Sequence, residues 1–368
     1  MRILRVAQKV YPDVVGGGPY HVHAMSRDQA AMGHDVTVLT VEDDSDKPHV
    51  EQRNGYTVVR YPAIAEPLGN AVAPGIASFL RRARDYDVVH AHSHLYFATN
   101  LASLVRRLDS TPLAITNHGL YSQTAPEWVF DVYLRTLGRW TFDSADVVFC
   151  YTEADRDRLR EKGVSTNVAV VHNGIDTDRF TPEGVLDDRI HGDPAVLFVG
   201  RLVEGKRPSD ALAAFDRLHD RFPDAVLNVC GEGPLRGDLE TEARERGLAN
   251  RISFLGHVDY GAMPAVYRAA DVLVLPSRAE GLPRTVLEAM ASGTPVVVSA
   301  LEQVEPVVES GGETVAVGDV EGFRAGLEAV VDSLASYSPV ETVAGHFEWA
   351  DTVEQTTAVL EDVAGGER

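Results

Sequence analysis

Lysine is nearly missing from this chain. Only Lys9, Lys47, Lys162 and Lys206 occur in 368 residues, and 55 acidic side chains face 34 Lys and Arg, for a formal net charge of −21. Without a basic face the chain lacks what a nucleic acid's phosphates require, so that class of partner is excluded. An anionic substrate must be drawn in by a few local cations. A surface rich in Asp and Glu and poor in Lys suits a high-salt cytoplasm, where hydrated carboxylates keep a screened protein soluble, so halophilic behaviour is expected. Cysteine is scarce too. Cys150 and Cys230 lie in the apolar runs VVFCY and VLNVCG. They read as buried thiols in a reducing compartment, which excludes a disulfide framework. No apolar run approaches the ~20 residues of a transmembrane helix, and no signal-peptide pattern precedes Arg2. The expected location is the cytoplasm, with at most peripheral contact at the inner face of the membrane.

What is present is an alternation of strand-like and helical runs, which implies an α/β class with parallel sheets. The length suits two domains, each with its own core. The first run, Ile3 to Gln8, leads into Gly16-Gly17-Gly18-Pro19 and a helix to about Met32. Glycines there let backbone approach a ligand, although G-x-G-x-x-G is absent and a purely structural turn fits equally. Strands are expected at Val36–Val41, Tyr56–Tyr61, from Val88, at Leu113–Thr116, Val147–Cys150 and Val168–Val171. Strand alternation places His90, His92 and His94 on one face. No carboxylate or cysteine accompanies them, so they are expected to line a pocket rather than hold a metal. His118 follows the Leu113–Thr116 strand and is a candidate for the reacting centre. The run Pro126 to Phe142, with Trp128, Phe130, Tyr133, Leu134 and Leu137, is a helix that either packs on the sheet or meets a membrane or lipid acceptor.

A polar stretch from about Thr181 to Pro194 marks a domain boundary. The strand Ala195–Val199 ends in Gly200-Arg201-Leu202-Val203-Glu204-Gly205-Lys206. Arg201 and Lys206 therefore sit where α/β sheets bind ligands, with the chemistry to hold phosphate. Val226–Val229 leads to Gly231-Glu232-Gly233-Pro234, and Ile252–Leu255 to Gly256. Val272–Leu275 runs into Glu280. From there the stretch EGLPRTVLEAMASGTPVVV organises the domain. Pro283 is suited to the first turn of a helix from about Arg284 to Ala291. Its start offers backbone donors to a phosphate, with Glu280 just outside and Glu288 one turn inside. The stretch reads as a pocket with one carboxylate for sugar hydroxyls and one for a ribose. An ordinary helix with solvated glutamates is the alternative.

In order along nearly the whole chain, GGGPYHV…GHDV, HNGID..RF.P, VGRL…K, GEGP, FLG, ADVLVLPS and EGLPRTVLEAMASGTPVV resemble the retaining glycosyltransferases of family 4. The last run resembles that family's Glu-x7-Glu signature. The resemblance implies the GT-B fold: two Rossmann-like domains facing across a cleft, here 1–180 and 195–345, with a C-terminal helix, 346–368, crossing back to the first. It implies that Arg201 and Lys206 neutralise the diphosphate of a nucleotide-sugar donor. Glu280 then binds the sugar hydroxyls and Glu288 the ribose. Backbone at Gly281, Leu282, Arg284 and Thr285 cradles sugar and phosphate, and Gly231 lies near the base. Gly16 and Gly17 close on the donor, with His118 near the sugar. The donor is expected to carry UDP, or second GDP, and the acceptor to be a saccharide or a lipid-linked glycan. No cofactor and no metal is expected. Arg207 stands where that family commonly has glycine, Pro19 where many members have another residue, and Pro283 removes one loop N–H. A sugar-nucleotide epimerase or hydrolase, a nicotinamide-dependent oxidoreductase and a nucleotide-sugar sensor are the alternatives.

Overall fold

The computed structural model describes residues 1–42, 46–120 and 127–366. The chain forms two compact units, residues 1–172 with 351–368, and residues 173–350. In the first, Val- and Ile-rich runs extend as β1 (Arg2–Val6), β2 (Asp35–Glu42), β3 (Val50–Arg53), β4 (Tyr56–Pro62), β5 (Val88–His92), β6 (Leu113–Thr116), β7 (Val147–Cys150) and β8 (Asn167–Val170). They make one sheet in the order β3-β4-β2-β1-β5-β6-β7-β8. All neighbours are parallel except β3 and β4, which are joined through the left-handed Asn54 and Gly55. Parallel strands need covering on both faces. One face carries Leu4, Leu39, Ile76, Leu80 and Ile115, and the other Ile3, Val36, Val88, Phe149 and Leu360. Leu360 belongs to the last helix, Trp349–Gly365. That helix is also tied by the Gln29 amide, which donates to Thr357 Oγ1 at 2.9 Å.

The second unit holds a fully parallel sheet, β11-β10-β9-β12-β13-β14. Its strands are β9 (Ala195–Val199), β10 (Val226–Cys230), β11 (Ile252–Gly256), β12 (Val272–Leu275), β13 (Val296–Ser299) and β14 (Gly312–Val315). Val196, Leu197, Phe198, Leu273, Val274 and Val297 are fully buried.

Several sequence expectations change here. The sequence reading carries the first domain to residue 180, but 173–180 belongs to the second unit. The Ile175 N–H donates to the Phe347 carbonyl, the Trp349 N–H donates to the Ile175 carbonyl, and the Phe180 ring lies 6.0 Å from that of Tyr267. β3 and β14 escape the sequence reading: one is a short polar edge strand and the other starts at a glycine. The three histidines do not share a face. β5 ends at His92, and Ser93 turns left-handed (φ 65), so His94 leaves the strand alternation and packs among Phe130, Tyr133 and Phe142. In the Pro126–Phe142 run, Pro126 lies outside the described residues. The rest is helix Glu127–Tyr133, a π-helical turn Leu134–Gly138, and helix Arg139–Phe142. It buries Phe130 and Leu134 and exposes Trp128 (73 %) and Val132. Both cysteines are buried and free, and burial pushes each thiol up to about 12.

Candidate active site

In the second unit the C-terminal strand ends are stitched together by backbone. Gly200 N–H donates to the Cys230 carbonyl, Gly231 N–H to that of Gly256 (2.8 Å), and Leu202 N–H to that of Glu232. Only glycine fits at 231. Its φ is +150°, and a Cβ there would meet the Gly200 carbonyl oxygen at 1.9 Å. Arg201 is exposed just beyond β9. A short turn, Glu204–Lys206, follows and ends on Arg207 in the left-handed region (φ 49, ψ 48). That conformation explains why glycine is at home at this position. The Arg278 N–H donates to the Gly205 carbonyl at 2.9 Å, which moors this turn to the segment preceding Glu280.

The result is a close ion pair. Lys206 Nζ lies 2.5 Å from Glu280 Oε1, with the two side chains 14 % and 6 % exposed. The helix Arg284–Ala291 begins four residues later, within the bounds expected from sequence. Pro283 is its N-cap in extended conformation (φ −73, ψ 111) rather than a member of its first turn. The Thr285 N–H therefore lies in the helix's first turn, where no intrahelical carbonyl is available to it. Gly281 and Leu282, between Glu280 and Pro283, are buried, and Thr285 is half-buried.

Glu288 is 3 % exposed. Tyr260 Oη donates to one of its carboxylate oxygens at 2.8 Å and Tyr267 Oη to the other at 3.1 Å. Burial raises its pKa, while Arg284 and the two hydroxyls oppose the shift. The Arg284 guanidinium is held by protein groups. It donates to the Gly174 carbonyl at 2.6 Å and to Tyr260 Oη at 3.2 Å, and lies over the Trp349 ring. Any part Arg284 plays with phosphate thus falls to its backbone. Tyr260 in turn is capped by Arg179, whose guanidinium carbon sits 4.3 Å from the ring centre. Tyr260 and Tyr267 were not found from sequence. Tyrosines in loops and helices carry no spacing that would pair them with Glu288.

The first unit makes its own cluster. Gly16 (φ 149) caps the helix Gly17–Ala31, and a Cβ on Gly17 would meet open space. His118 Nδ1 lies 2.6 Å from Tyr151 Oη and Nε2 lies 3.1 Å from His92 Nδ1. The His21 ring is 5.4 Å away, edge-on. Burial lowers His118 to about 4, so the imidazole is neutral at pH 7. His90 bonds Thr116 Oγ1 at 2.7 Å, beside the fully buried Arg5. Arg5 donates to Ser26 Oγ and to Gln29 Oε1, and burial lowers it to about 9. Among the described residues no group of three His, Cys, Asp or Glu is placed to hold a metal ion.

Known proteins resemble this chain over its full length. The family model "Glycosyltransferase Family 4" matches residues 15–179, and "Glycosyl transferases group 1" matches residues 188–336. A glycogen synthase of Mycobacterium tuberculosis is 30% identical over 405 aligned positions, covering 100% of this chain and 96% of its own. The chain belongs to glycosyltransferase family 4. A phosphatidyl-myo-inositol mannosyltransferase of Mycolicibacterium smegmatis is 29% identical and covers 96% of the chain and 92% of its own. The family's GT-B fold is shared with two solved structures. Sucrose-phosphate synthase of Thermosynechococcus elongatus has a TM-score of 0.86 at 20% identity, covering all of both chains. HepE of Anabaena, in complex with UDP, has a TM-score of 0.80 at 20% identity and covers 98% of this chain and all of its own. This family 4 member is thus a glycosyltransferase, and no helix among its described residues is long and apolar enough to cross a membrane.

Proposed function

We propose that this glycosyltransferase moves a hexose-type sugar, with retention and without a metal, from a nucleoside-diphosphate sugar to an acceptor hydroxyl in glycan or glycolipid assembly. UDP is the favoured nucleotide and GDP the second. The Lys206–Glu280 pair beside a helix start carries this reading. It puts an ammonium for a phosphate next to a carboxylate for sugar hydroxyls. The HepE structures with UDP and with UDP-glucose support the choice of donor class.

The donor's bond between anomeric carbon and phosphate oxygen breaks, and the acceptor oxygen bonds to the same face of that carbon. The acceptor's proton passes to the departing phosphate. Negative charge grows on that phosphate, and Lys206, Arg201 and the first-turn amides of the helix stabilise it. Glu280 accepts hydrogen bonds from the sugar and Glu288 from the ribose. Each Glu288 oxygen has a lone pair left beyond its tyrosine. We assign Gly231 backbone to the base, and His118, Gly16 and Gly17 to substrate contact. The acceptor is a saccharide or a lipid-linked glycan. We place the enzyme in the cytoplasm, with peripheral contact at the membrane's inner face for a lipid acceptor.

The test is thermal unfolding in molar KCl with UDP, GDP, ADP or NAD added singly. A ligand at a hundred times its dissociation constant adds roughly 2.7 kcal/mol, a shift of several degrees. A shift with UDP or GDP is expected. A shift with NAD alone would overturn the reading in favour of an oxidoreductase.

A further inference from the structure

Gln303 was not singled out from sequence. It lies in the turn after β13 that leads to the short helix Glu305–Val308, and this turn is held by Val304 and Glu305 N–H groups on the Leu301 carbonyl. Its side chain is 4 % exposed. The amide nitrogen donates to the backbone carbonyl of Glu280. That contact fixes which end of the amide is which, because an oxygen facing a carbonyl oxygen would be repelled. The amide oxygen is therefore directed elsewhere, and it is buried without a hydrogen-bond partner. So are the hydroxyls of Ser277, just past β12, and Ser299, at the end of β13. β12 and β13 are neighbours in the sheet, with Leu275 opposite Val298. These polar groups thus lie at the carboxyl ends of adjacent strands, where α/β sheets receive ligands.

A buried acceptor left unpaired is costly, and it calls for an O–H or N–H donor. A sugar offers several hydroxyls, and the fully ionised diphosphate diester of a nucleotide-sugar offers none at neutral pH. We propose that Gln303 is a specificity-determining residue for the donor sugar: its nitrogen holds the Glu280 backbone, and its oxygen accepts a hydroxyl of the sugar bound to Glu280. The inference rests on the nucleotide-sugar reading above. Donor binding gives the Gln303 oxygen the hydrogen-bond partner it otherwise lacks. Sugars that differ in the orientation of one hydroxyl are told apart by whether that hydroxyl meets the oxygen.

The experiment is calorimetric titration of the full chain and of Gln303→Met and Gln303→Glu. The probes are UDP and GDP, then UDP-glucose, UDP-galactose, UDP-N-acetylglucosamine and GDP-mannose. Methionine matches the size of glutamine without its polar atoms. Glutamate keeps the outer oxygen and repels the Glu280 carbonyl. The second variant carries the test if the first does not fold. In both, affinity for the free nucleoside diphosphate stays within about twofold. Affinity for at least one nucleotide-sugar falls tenfold or more, about 1.4 kcal/mol, and the ranking of the sugars changes. Equal weakening of nucleotide and nucleotide-sugar would make Gln303 a structural prop and overturn the proposal. Unchanged affinity throughout would overturn it too. If the unaltered chain binds none of the probes, the nucleotide-sugar reading falls with it, an outcome distinct from either of the others.

Discussion

Gly231 shows how little room a single residue leaves in the loop it closes. A methyl group there would lie 1.9 Å from the Gly200 carbonyl oxygen, in a backbone conformation that L side chains rarely adopt. Gly231→Ala is therefore expected to destabilise the second unit by about 3 kcal/mol or more, read as an earlier denaturant midpoint in hydrogen exchange of β9 and β10. Tyr267→Phe acts differently. It leaves a Glu288 oxygen buried without its hydroxyl partner, a loss of about 1–3 kcal/mol, also read from the midpoint. An unchanged midpoint would mean that Glu288 finds another donor. At this scale the sequence was uneven. Lys206, Glu280 and Glu288 were legible because cations are few in this chain and the carboxylates flank a helix start. Tyr260, Tyr267 and Gln303 were not, since their partners depend on how distant loops fold together.

Helices and strands were read best where local chemistry marks their ends. Pro283 and the Ser292-Gly293 turn bracket the helix Arg284–Ala291, and its bounds follow. The periodic reading failed at His94, where one left-handed serine resets the side-chain direction. Histidines beyond the ends of β5 and β6, His94 and His118, together with His23 of the helix Gly17–Ala31, give the first unit a pH dependence. Burial lowers His118 and His23 to about 4 and His94 to about 3, from the ordinary 6.5. Between pH 6.5 and 4 the unfolded chain binds protons that the folded unit refuses. Stability is complete above pH 6.5 and falls as the pH drops through that window. One group so displaced costs on the order of 3 kcal/mol across it. Hydrogen exchange at pH 7 and pH 5 should show protection lost in β1, β5 and β6. Equal protection at both values would contradict neutral, buried histidines.

The whole molecule is set by its charge. A net −21 on 368 residues repels itself at low ionic strength, and screening relieves that repulsion. Melting temperature is expected to rise steadily as KCl is raised from 0.1 to above 1 M. A flat profile would mean that the acidic surface is not an adaptation to salt. On the proposed reading the same field disfavours an anionic donor everywhere except beside local cations, so Lys206 is expected to carry more of the binding than it would in a balanced protein. Calorimetric binding of UDP and GDP, compared between the unaltered chain and Lys206→Ala in molar KCl, tests that claim most directly. One nucleotide is expected to bind the unaltered chain and at least tenfold more weakly the variant, measured well below the variant's own melting temperature because Glu280 there is left buried without its partner. Equal affinity in the two proteins would contradict it.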